Sequence, residues 1–371
     1  MSYKFIISGG GTGGHIFPAI AIANTLKHKF ADCEILFVGA LGKMEMEKVP
    51  QNGFKIIGLP IAGIQRKINL QNIIKNIFFP VKLILSLYKA YKIVADFKPH
   101  VVIGVGGYAS GPTLWAATWL KIPTLIQEQN SYAGITNKIL AYNVDKICVA
   151  YEGMEEFFPK HKMVLTGNPV RSDIADAPLL KMPAALHFKL DAQKKTILVL
   201  GGSLGAKTIN DSIAQSLDKI LSEQYQLIWQ TGKNYFADAQ NIVVQKAGHV
   251  GNIRVYDFIK EMHFAYGMAD VVISRAGALS ISELCIAGKA CILVPSPNVS
   301  EDHQTKNAMA LVSKNAALMV KDFEAQHVLA DEAISLLHND TLRSAMKENI
   351  YALAKPNATQ NIVNEIVNML K

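Results

Sequence analysis

The sequence predicts an α/β protein of two domains, each a parallel β-sheet covered by helices on both faces. Three observations carry that prediction. Short apolar runs alternate with helical patterns over the whole chain, as layered parallel sheets require. A strand, a glycine loop and a helix open the chain, and the same design returns at residues 196–210 as TILVLGGSLGAKTIN. At 371 residues the chain is long enough for two cores.

In the first unit, Phe5, Ile6 and Ile7 lead into SGGGTGGH (residues 8–15), and a helical pattern is expected from about Phe17. Glycines let the main chain approach a ligand, and the N–H groups opening the next helix form an anion site strengthened by the helix dipole. Gly9, Gly11 and Gly14 satisfy GxGxxG, so a dinucleotide site is the first reading to test. A nicotinamide-binding fold places a carboxylate at the end of its second strand. Here that strand, EILFV (residues 34–38), runs into Gly39 and Ala40, while Asp32 and Glu34 precede its body. The nicotinamide reading loses its support. His15, a titratable side chain at the lip of an anion site, is left to be explained.

A helical segment around residues 44–49 precedes a third buried strand, FKIIGL (residues 54–59). Residues 65–98 read as mostly helical, broken or kinked at Pro80. Ile73, Ile74, Ile77, Phe78, Val81, Ile84, Leu85 and Tyr88 follow the helical period, and Lys75, Lys82 and Lys89 recur every seven residues on another face. This is either a surface helix with solvated lysines or a docking surface, its apolar side chains in a bilayer and its lysines on anionic headgroups. VVIGVGGYASGP (residues 101–112) is another strand entering a glycine loop, with Trp115 and Trp119 on the helix behind it. TLIQEQN (residues 124–130) brings Glu128 and Asn130 to the carboxyl end of a strand, where open α/β sheets bind ligands. A capping or turn role is the alternative for this cluster. Strands at residues 146–150 and 163–166 lead into GNPVRSD, with the domain boundary near Gly167 and an irregular connection over residues 176–195.

Beyond the second glycine loop, strands at residues 226–230, 252–256, 271–274 and 291–294 alternate with helices. SRAGALSISE (residues 274–283) is a strand releasing into a helix start that carries Ser280, Ser282 and Glu283. Such a start holds a diphosphate on its N–H groups while the carboxylate accepts from ribose hydroxyls; the alternative is a serine-rich cap. PSPNVSEDHQTKNA (residues 295–308) brings His303 and Gln304 to the same rim. A last amphipathic helix follows Pro356 and is suited to pack on the first domain.

Half of the residues are hydrophobic and 18% are charged, which excludes a disordered chain. A net charge of +8 and a pI near 9.1 point to an anionic partner. Cys33, Cys148, Cys285 and Cys291 lack metal-ligand spacing and read as core thiols in a reducing compartment. No secretory pattern is read at the amino end. No apolar run reaches the roughly 18–20 residues that a span needs, so a membrane role would be peripheral.

GGTGGH with Pro18 behind it, GGYASGP, EQN, GNPVR, GGSLGA, SRAGALSISE and DHQTKNA, in that order, resemble the MurG family of glycosyltransferases. The resemblance covers nearly the whole chain and is weakest at residues 176–195. It implies two Rossmann-like domains facing each other across a cleft, the GT-B type of fold, with the last helix returning to the first domain. Residues 1–167 and 356–371 would form the acceptor-binding and membrane-docking domain, and residues 168–355 the UDP-sugar domain. The implied reaction is inverting and needs neither metal nor cofactor: N-acetylglucosamine passes from UDP-N-acetylglucosamine to the O4 hydroxyl of lipid I (undecaprenyl-diphospho-N-acetylmuramoyl-pentapeptide), forming lipid II. No Asp-x-Asp pair or His/Cys cluster in the sequence offers a metal site.

Carried over motif by motif, the resemblance implies a donor site of Ser203, Ala278, Leu279, Ser280, Ile281 and Ser282 around the diphosphate. Phe258 and Ile259 would lie at the uracil, Glu283 at the ribose and Gln304 at the sugar hydroxyls. Arg171, Asn130, Thr12, Gly13 and Gly14 would complete it. Gly13, Gly14, Gly106 and Gly107 would meet the acceptor diphosphate. Deprotonating the acceptor hydroxyl needs a base near neutral pH, and an unperturbed histidine titrates near 6.5. His15 is the first choice and Glu128 the second. Docking on the cytoplasmic face of the bacterial inner membrane would use Ile74, Lys75, Ile77, Phe78, Phe79, Lys82, Lys89 and Trp119. The implied partners are the two substrates, anionic lipid, and proteins of cell-wall synthesis or division, with no nucleic acid. The rival readings are a UDP-sugar transferase or epimerase acting on a soluble acceptor, and a membrane-bound nucleotide-sugar sensor without turnover.

Overall fold

The structure, a computed structural model, describes residues 2–63, 77, 79–202, 204–248 and 251–370. It divides into two compact units, Met1–Val170 with Asn357–Lys371, and Arg171–Pro356.

The first unit holds a parallel sheet in the order β3-β2-β1-β4-β5-β6-β7. Its strands are β1 (Lys4–Ser8), β2 (Glu34–Ala40), β3 (Lys55–Leu59), β4 (Val101–Gly104), β5 (Thr124–Glu128), β6 (Lys146–Val149) and β7 (Met163–Leu165). Its helices are α1 (Gly13–Lys29), α2 (Glu45–Gln51), α3 (Phe79–Phe97), α4 (Ser110–Trp119) and α5 (Ile135–Leu140), joined by the C-terminal helix (Ala358–Asn368). The strands read as unbroken apolar runs because both faces are covered, and alternate residues serve opposite layers. Ile6 packs with Ala90, Val94 and Leu114 on one side, whereas Phe5 and Ile7 pack with Ile16, Ile22 and Leu26 on the other. Ile362, Val363 and Ile366 of the C-terminal helix are buried in that second layer, a contribution of about 1.5–3 kcal/mol each.

Two local outcomes differ from the sequence pattern. Helix α1 begins at Gly13, not near Phe17, with extended Thr12 as its N-cap. Glycine's low helix propensity makes those residues read as loop, and packing of Ile16 and Ile20 overrides it. His15 therefore stands in the first helical turn. In α3, Pro80 occupies the first turn, where its missing N–H costs nothing. The buried residues of α3 are Ser86, Ala90 and Val94, so the apolar series Ile77, Val81, Ile84, Leu85 and Tyr88 faces outward.

The second unit has the order β10-β9-β8-β11-β12-β13. These strands are β8 (Thr196–Leu200), β9 (Gln226–Gln230), β10 (Ile253–Tyr256), β11 (Val271–Ser274), β12 (Cys291–Leu293) and β13 (Leu318–Met319). Helices α6 (Lys181–Phe188), α7 (Lys207–Gln215), α8 (Leu217–Ser222), α9 (Phe236–Ala247), α10 (Met262–Met268), α11 (Ala278–Ala287), α12 (His303–Val312), α13 (Ala325–His338) and α14 (Asp340–Tyr351) cover it. Trp229 is wholly buried and its Nε1 donates to Asn210 Oδ1 at 3.0 Å. The expected irregular connection is instead a 3-10 helix (Ser172–Leu179) followed by α6. Pro183 is tolerated in the first turn of α6, and burial of Ala184, Ala185 and Phe188 holds the helix in place.

In both units the strand order reverses beside the first strand of the unit, between β1 and β4 and between β8 and β11. The two glycine loops leave β1 and β8 at these switch points, the positions where such sheets bind ligands.

Candidate functional site

His15 is half-buried, and its Nδ1 lies 2.9 Å from the carbonyl oxygen of Gly10 and 3.4 Å from Thr12 Oγ1. A carbonyl only accepts, so Nδ1 carries the proton of the neutral ring and Nε2 is its basic nitrogen. The second glycine loop reaches the same ring edge. A Cβ placed on Gly106 (φ +91°) would stand 2.9 Å from His15 Nε2, and one on Gly107 (φ +87°) 2.4 Å from the Gly10 carbonyl oxygen. Only glycine fits both the conformation and the approach. The fold thus gathers Thr12, Gly13, Gly14, His15, Gly106 and Gly107, and the opening amides of α1, which a helix cannot satisfy internally, lie at Gly13 and Gly14.

Glu45 was not foreseen. It is buried on α2, where Oε1 accepts from the Ala40 amide at 3.0 Å and Oε2 from the Gly11 amide at 2.8 Å. A carboxylate does stand at the end of the second strand, but main-chain donors already occupy it. Its signal in the sequence is faint, one acid in a short helix.

Glu128 ends β5 and is buried. Its Oε1 accepts from the amide (3.1 Å) and Nδ2 (3.2 Å) of Asn130, and its Oε2 from the Gly134 amide (3.0 Å) and Asn137 Nδ2 (2.8 Å). Four donors consume the lone pairs a base would need. This geometry is the capping role weighed against catalysis in the sequence, and it organises residues 130–137. Beside it, Gln127 Nε2 donates to Asn168 Oδ1 (2.9 Å) and Asn168 Nδ2 to the Gln129 carbonyl (2.9 Å), so the EQN and GNP motifs form one network.

In the second unit, helix α11 starts after extended Gly277 with no side-chain cap, which leaves the amides of Ala278, Leu279 and Ser280 as an anion site. Ser203 lies outside the described residues. Three expected contacts change character. Ile281 is buried and its amide donates to Gly277, so it turns toward the core. Ile259 is 2% exposed and its amide donates to Gln230, whereas Phe258 is 45% exposed. Ser282 Oγ donates to the Ala278 carbonyl one turn back, at 3.0 Å. Glu283 is half-buried; Tyr266 Oη donates to its Oε2 at 3.1 Å and Arg171 Nη2 lies 3.6 Å from its Oε1. Burial raises the Glu283 carboxyl above the usual range, against the pull of Arg171 and Tyr266. Gln304 Oε1 accepts from the Ser296 amide at 2.9 Å, which aims its NH₂ group as a donor. Gln230, another residue the sequence did not mark, accepts from the Ile259 amide (2.9 Å) and donates to the Gly202 carbonyl (3.2 Å). It joins the glycine loop to the Phe258 wall.

Of the expected docking residues, Ile74, Lys75 and Phe78 lie outside the described residues. Ile77 is 66% and Trp119 65% exposed, while Phe79 and Lys82 are half-buried. Lys89 does not present a free cation, because its Nζ donates to the Gly58 carbonyl at 2.8 Å. Trp119 meets Trp115 edge-on at 4.6 Å between ring centroids. Among the described residues no helix is long and apolar enough to cross a membrane, and no cluster of three metal-ligating side chains occurs.

Paired switch-point loops, one beside a histidine and one beside an uncapped helix start with a carboxylate, define a two-domain glycosyltransferase of the GT-B type. Residues 5–149 match the glycosyltransferase family 28 N-terminal domain and residues 196–364 its C-terminal domain, and the chain belongs to that family. It is 55% identical to a Parabacteroides distasonis protein over 99% of this chain and 98% of that one, and 54% identical to a Flavobacterium psychrophilum protein over 100% and 98%. Both are named UDP-N-acetylglucosamine--N-acetylmuramyl-(pentapeptide) pyrophosphoryl-undecaprenol N-acetylglucosamine transferase. The crystal structure of Acinetobacter baumannii MurG is similar with a TM-score of 0.79 at 29% identity, covering 99% of this chain and 100% of that one. A UDP-glucose:anthocyanidin 3-O-glucosyltransferase shares the fold at 12% identity, with a TM-score of 0.70 over 100% and 99%.

Proposed function

We infer that this chain transfers N-acetylglucosamine from UDP-N-acetylglucosamine to the O4 hydroxyl of lipid I and forms lipid II, with inversion and without a metal. The observation that carries this reading is identity above half to transferases of that name over both units. The second unit takes the donor: the α11 amides and Ser280 hold the diphosphate, Phe258 flanks the uracil, Glu283 accepts from the ribose, and Gln304 donates to the sugar. Arg171 opposes the burial that raises Glu283. The first unit takes the acceptor, with Gly13, Gly14, Gly106 and Gly107 at its diphosphate and Thr12 and Asn130 among its polar groups. The acceptor hydroxyl gives its proton to His15 Nε2 and attacks the anomeric carbon opposite UDP. The bond to UDP breaks, and its charge passes to the fixed dipoles of the second unit.

The apolar ridge of α3 with Trp119 supports peripheral docking on the cytoplasmic membrane face where such an acceptor lies, with Lys82 beside the ridge and Lys92 over the Tyr88 ring. The test is incubation with labelled UDP-N-acetylglucosamine and a short-chain lipid I analogue, with chelator present. Label on the analogue is the expected result; no product, label on a soluble acceptor, or loss of transfer with chelator overturns the corresponding part of the reading.

A further inference from the structure

Gly11 N–H and Gly10 C=O belong to one peptide group, and both of its ends are engaged. The amide donates to Glu45 Oε2 at 2.8 Å, while the carbonyl accepts from His15 Nδ1 at 2.9 Å. We propose that Glu45 is a positioning residue for the transfer reaction, acting on His15 through the Gly10–Gly11 peptide. The proposal rests on the reading of His15 as the base.

A carboxylate that accepts from an amide polarises it, pushing electron density onto the carbonyl oxygen and strengthening the bond that oxygen accepts. Hydrogen bonds in series thus extend the negative charge of Glu45 to the Nδ1–H of His15. Two consequences follow for the ring: the proton stays on Nδ1, and the imidazolium formed when Nε2 takes the acceptor proton is stabilised. No proton moves along the relay; Nδ1–H and Gly11 N–H keep theirs throughout.

The surroundings are built for this contact. Glu45 is buried, and its second oxygen is pinned by the Ala40 amide at the end of β2, so the carboxylate is fixed from both sides. A Cβ on Gly10 (φ +152°) would meet the Glu45 carboxyl carbon at 2.2 Å, and one on Gly39 the Glu45 Cγ at 2.6 Å. Glycine at both positions is what lets the carboxylate reach the peptide. Other charged groups on the adjoining elements are engaged elsewhere: Lys27 donates to the Cys33 carbonyl, Glu34 pairs with Lys4, and Glu47 and Lys48 both bond Gln51.

The experiment is imidazole ¹⁵N NMR of His15, with kinetics on UDP-N-acetylglucosamine and a short-chain lipid I analogue. In the parent protein the ring is expected as the Nδ1–H tautomer; an Nε2–H ring overturns the proposal whatever the variants do. Glu45→Gln keeps the shape and removes the charge. It is expected to lower kcat roughly 10–100-fold, the scale of lost supporting partners, with KM for the donor within about twofold, and to mix the tautomers. A slower enzyme whose His15 spectrum matches the parent makes Glu45 merely structural and overturns the relay, as does an unchanged kcat. His15→Ala is measured in parallel. A parental rate there removes His15 as base, while the spectra still decide whether Glu45 sets its tautomer.

Discussion

Replacing Glu128 by glutamine separates a structural carboxylate from a catalytic one. The ionised side chain accepts from four donors, two on each oxygen. Glutamine offers a single carbonyl oxygen, so one pair of donors faces an NH₂ group instead. Leaving a buried donor unsatisfied costs about 1–3 kcal/mol, and the loss of two acceptor bonds places the variant about 2–5 kcal/mol below the parent. In a unit of this size each kcal/mol moves Tm by roughly 2–4 °C, which predicts a drop of about 4–20 °C for the first unit. Scanning calorimetry reads that drop, and UDP binding, which the proposed function assigns to the second unit, is expected to stay at the parental level. Turnover falls only as far as the loosened residues 130–137 displace Asn130, about tenfold. The reasoning is refuted if Tm stays within about 2 °C of the parent while kcat falls more than about a thousandfold. That result would return the proton transfer to Glu128.

The remaining predictions concern other parts of the chain. Burial raises Glu283, so acidification protonates it at a higher pH than an exposed carboxylate, and UDP affinity is expected to fall as pH drops through that raised value. Arg171→Ala removes the opposing charge and is expected to move that acidic limb to higher pH in calorimetric titrations; a limb that stays or moves down contradicts the assignment. The effect on stability runs the opposite way: the fold favours neutral Glu283, a contribution complete below the unfolded pKa and lost as pH rises through the folded one. Burial pushes the Cys148 and Cys285 thiols up to about 12, so neither is expected to react with a thiol reagent at pH 8 until the chain unfolds. Val81→Asp with Ile84→Asp should reduce sedimentation with anionic vesicles and leave Tm within about 2 °C, since both side chains are exposed. Lys89→Ala should instead lower Tm through the lost bond to Gly58.

Legibility in the sequence followed the reach of each interaction. Parallel strands announce themselves because both faces are covered, so β1, β4, β8 and β11 each carry an apolar run. The final helix is legible in its period, and Ile362, Val363 and Ile366 are buried in the core of the first unit. The start of α1 at Gly13 was not visible, because glycine speaks locally for loop while the helix is held by packing. Helix α6 was missed for a related reason, since KMPAALHF has a proline and no amphipathic stripe. At the site, side chains inside motifs were legible as types but not as orientations: Ile259 and Ile281 point inward, and Lys89 is tied to a carbonyl. Glu45 and Gln230 lay outside every motif, and only tertiary approach reveals them.

Those two residues also explain why two similar loops serve different chemistry. Each unit leaves its first strand through glycines at a switch point, and each loop is braced by a side chain near the end of the neighbouring strand. In the second unit the brace is Gln230, a neutral amide that accepts from Ile259 and donates to the Gly202 carbonyl, so the brace itself carries no negative charge. In the first unit the brace is a buried carboxylate that already holds the Gly11 amide. A nucleoside diphosphate placed on that loop would find the Gly11 amide already taken, and a diphosphate at this loop is left the amides of Gly13 and Gly14. The first loop therefore offers one amide fewer than its GxGxxG spacing promises, and on the proposed reading of His15 as base the carboxylate suits the loop to hold an imidazole that becomes positive. Exchanging the bracing groups tests this directly: Gln230→Glu should weaken UDP binding at least tenfold, and parental affinity in that variant would show that the brace's charge does not decide which loop takes the nucleotide.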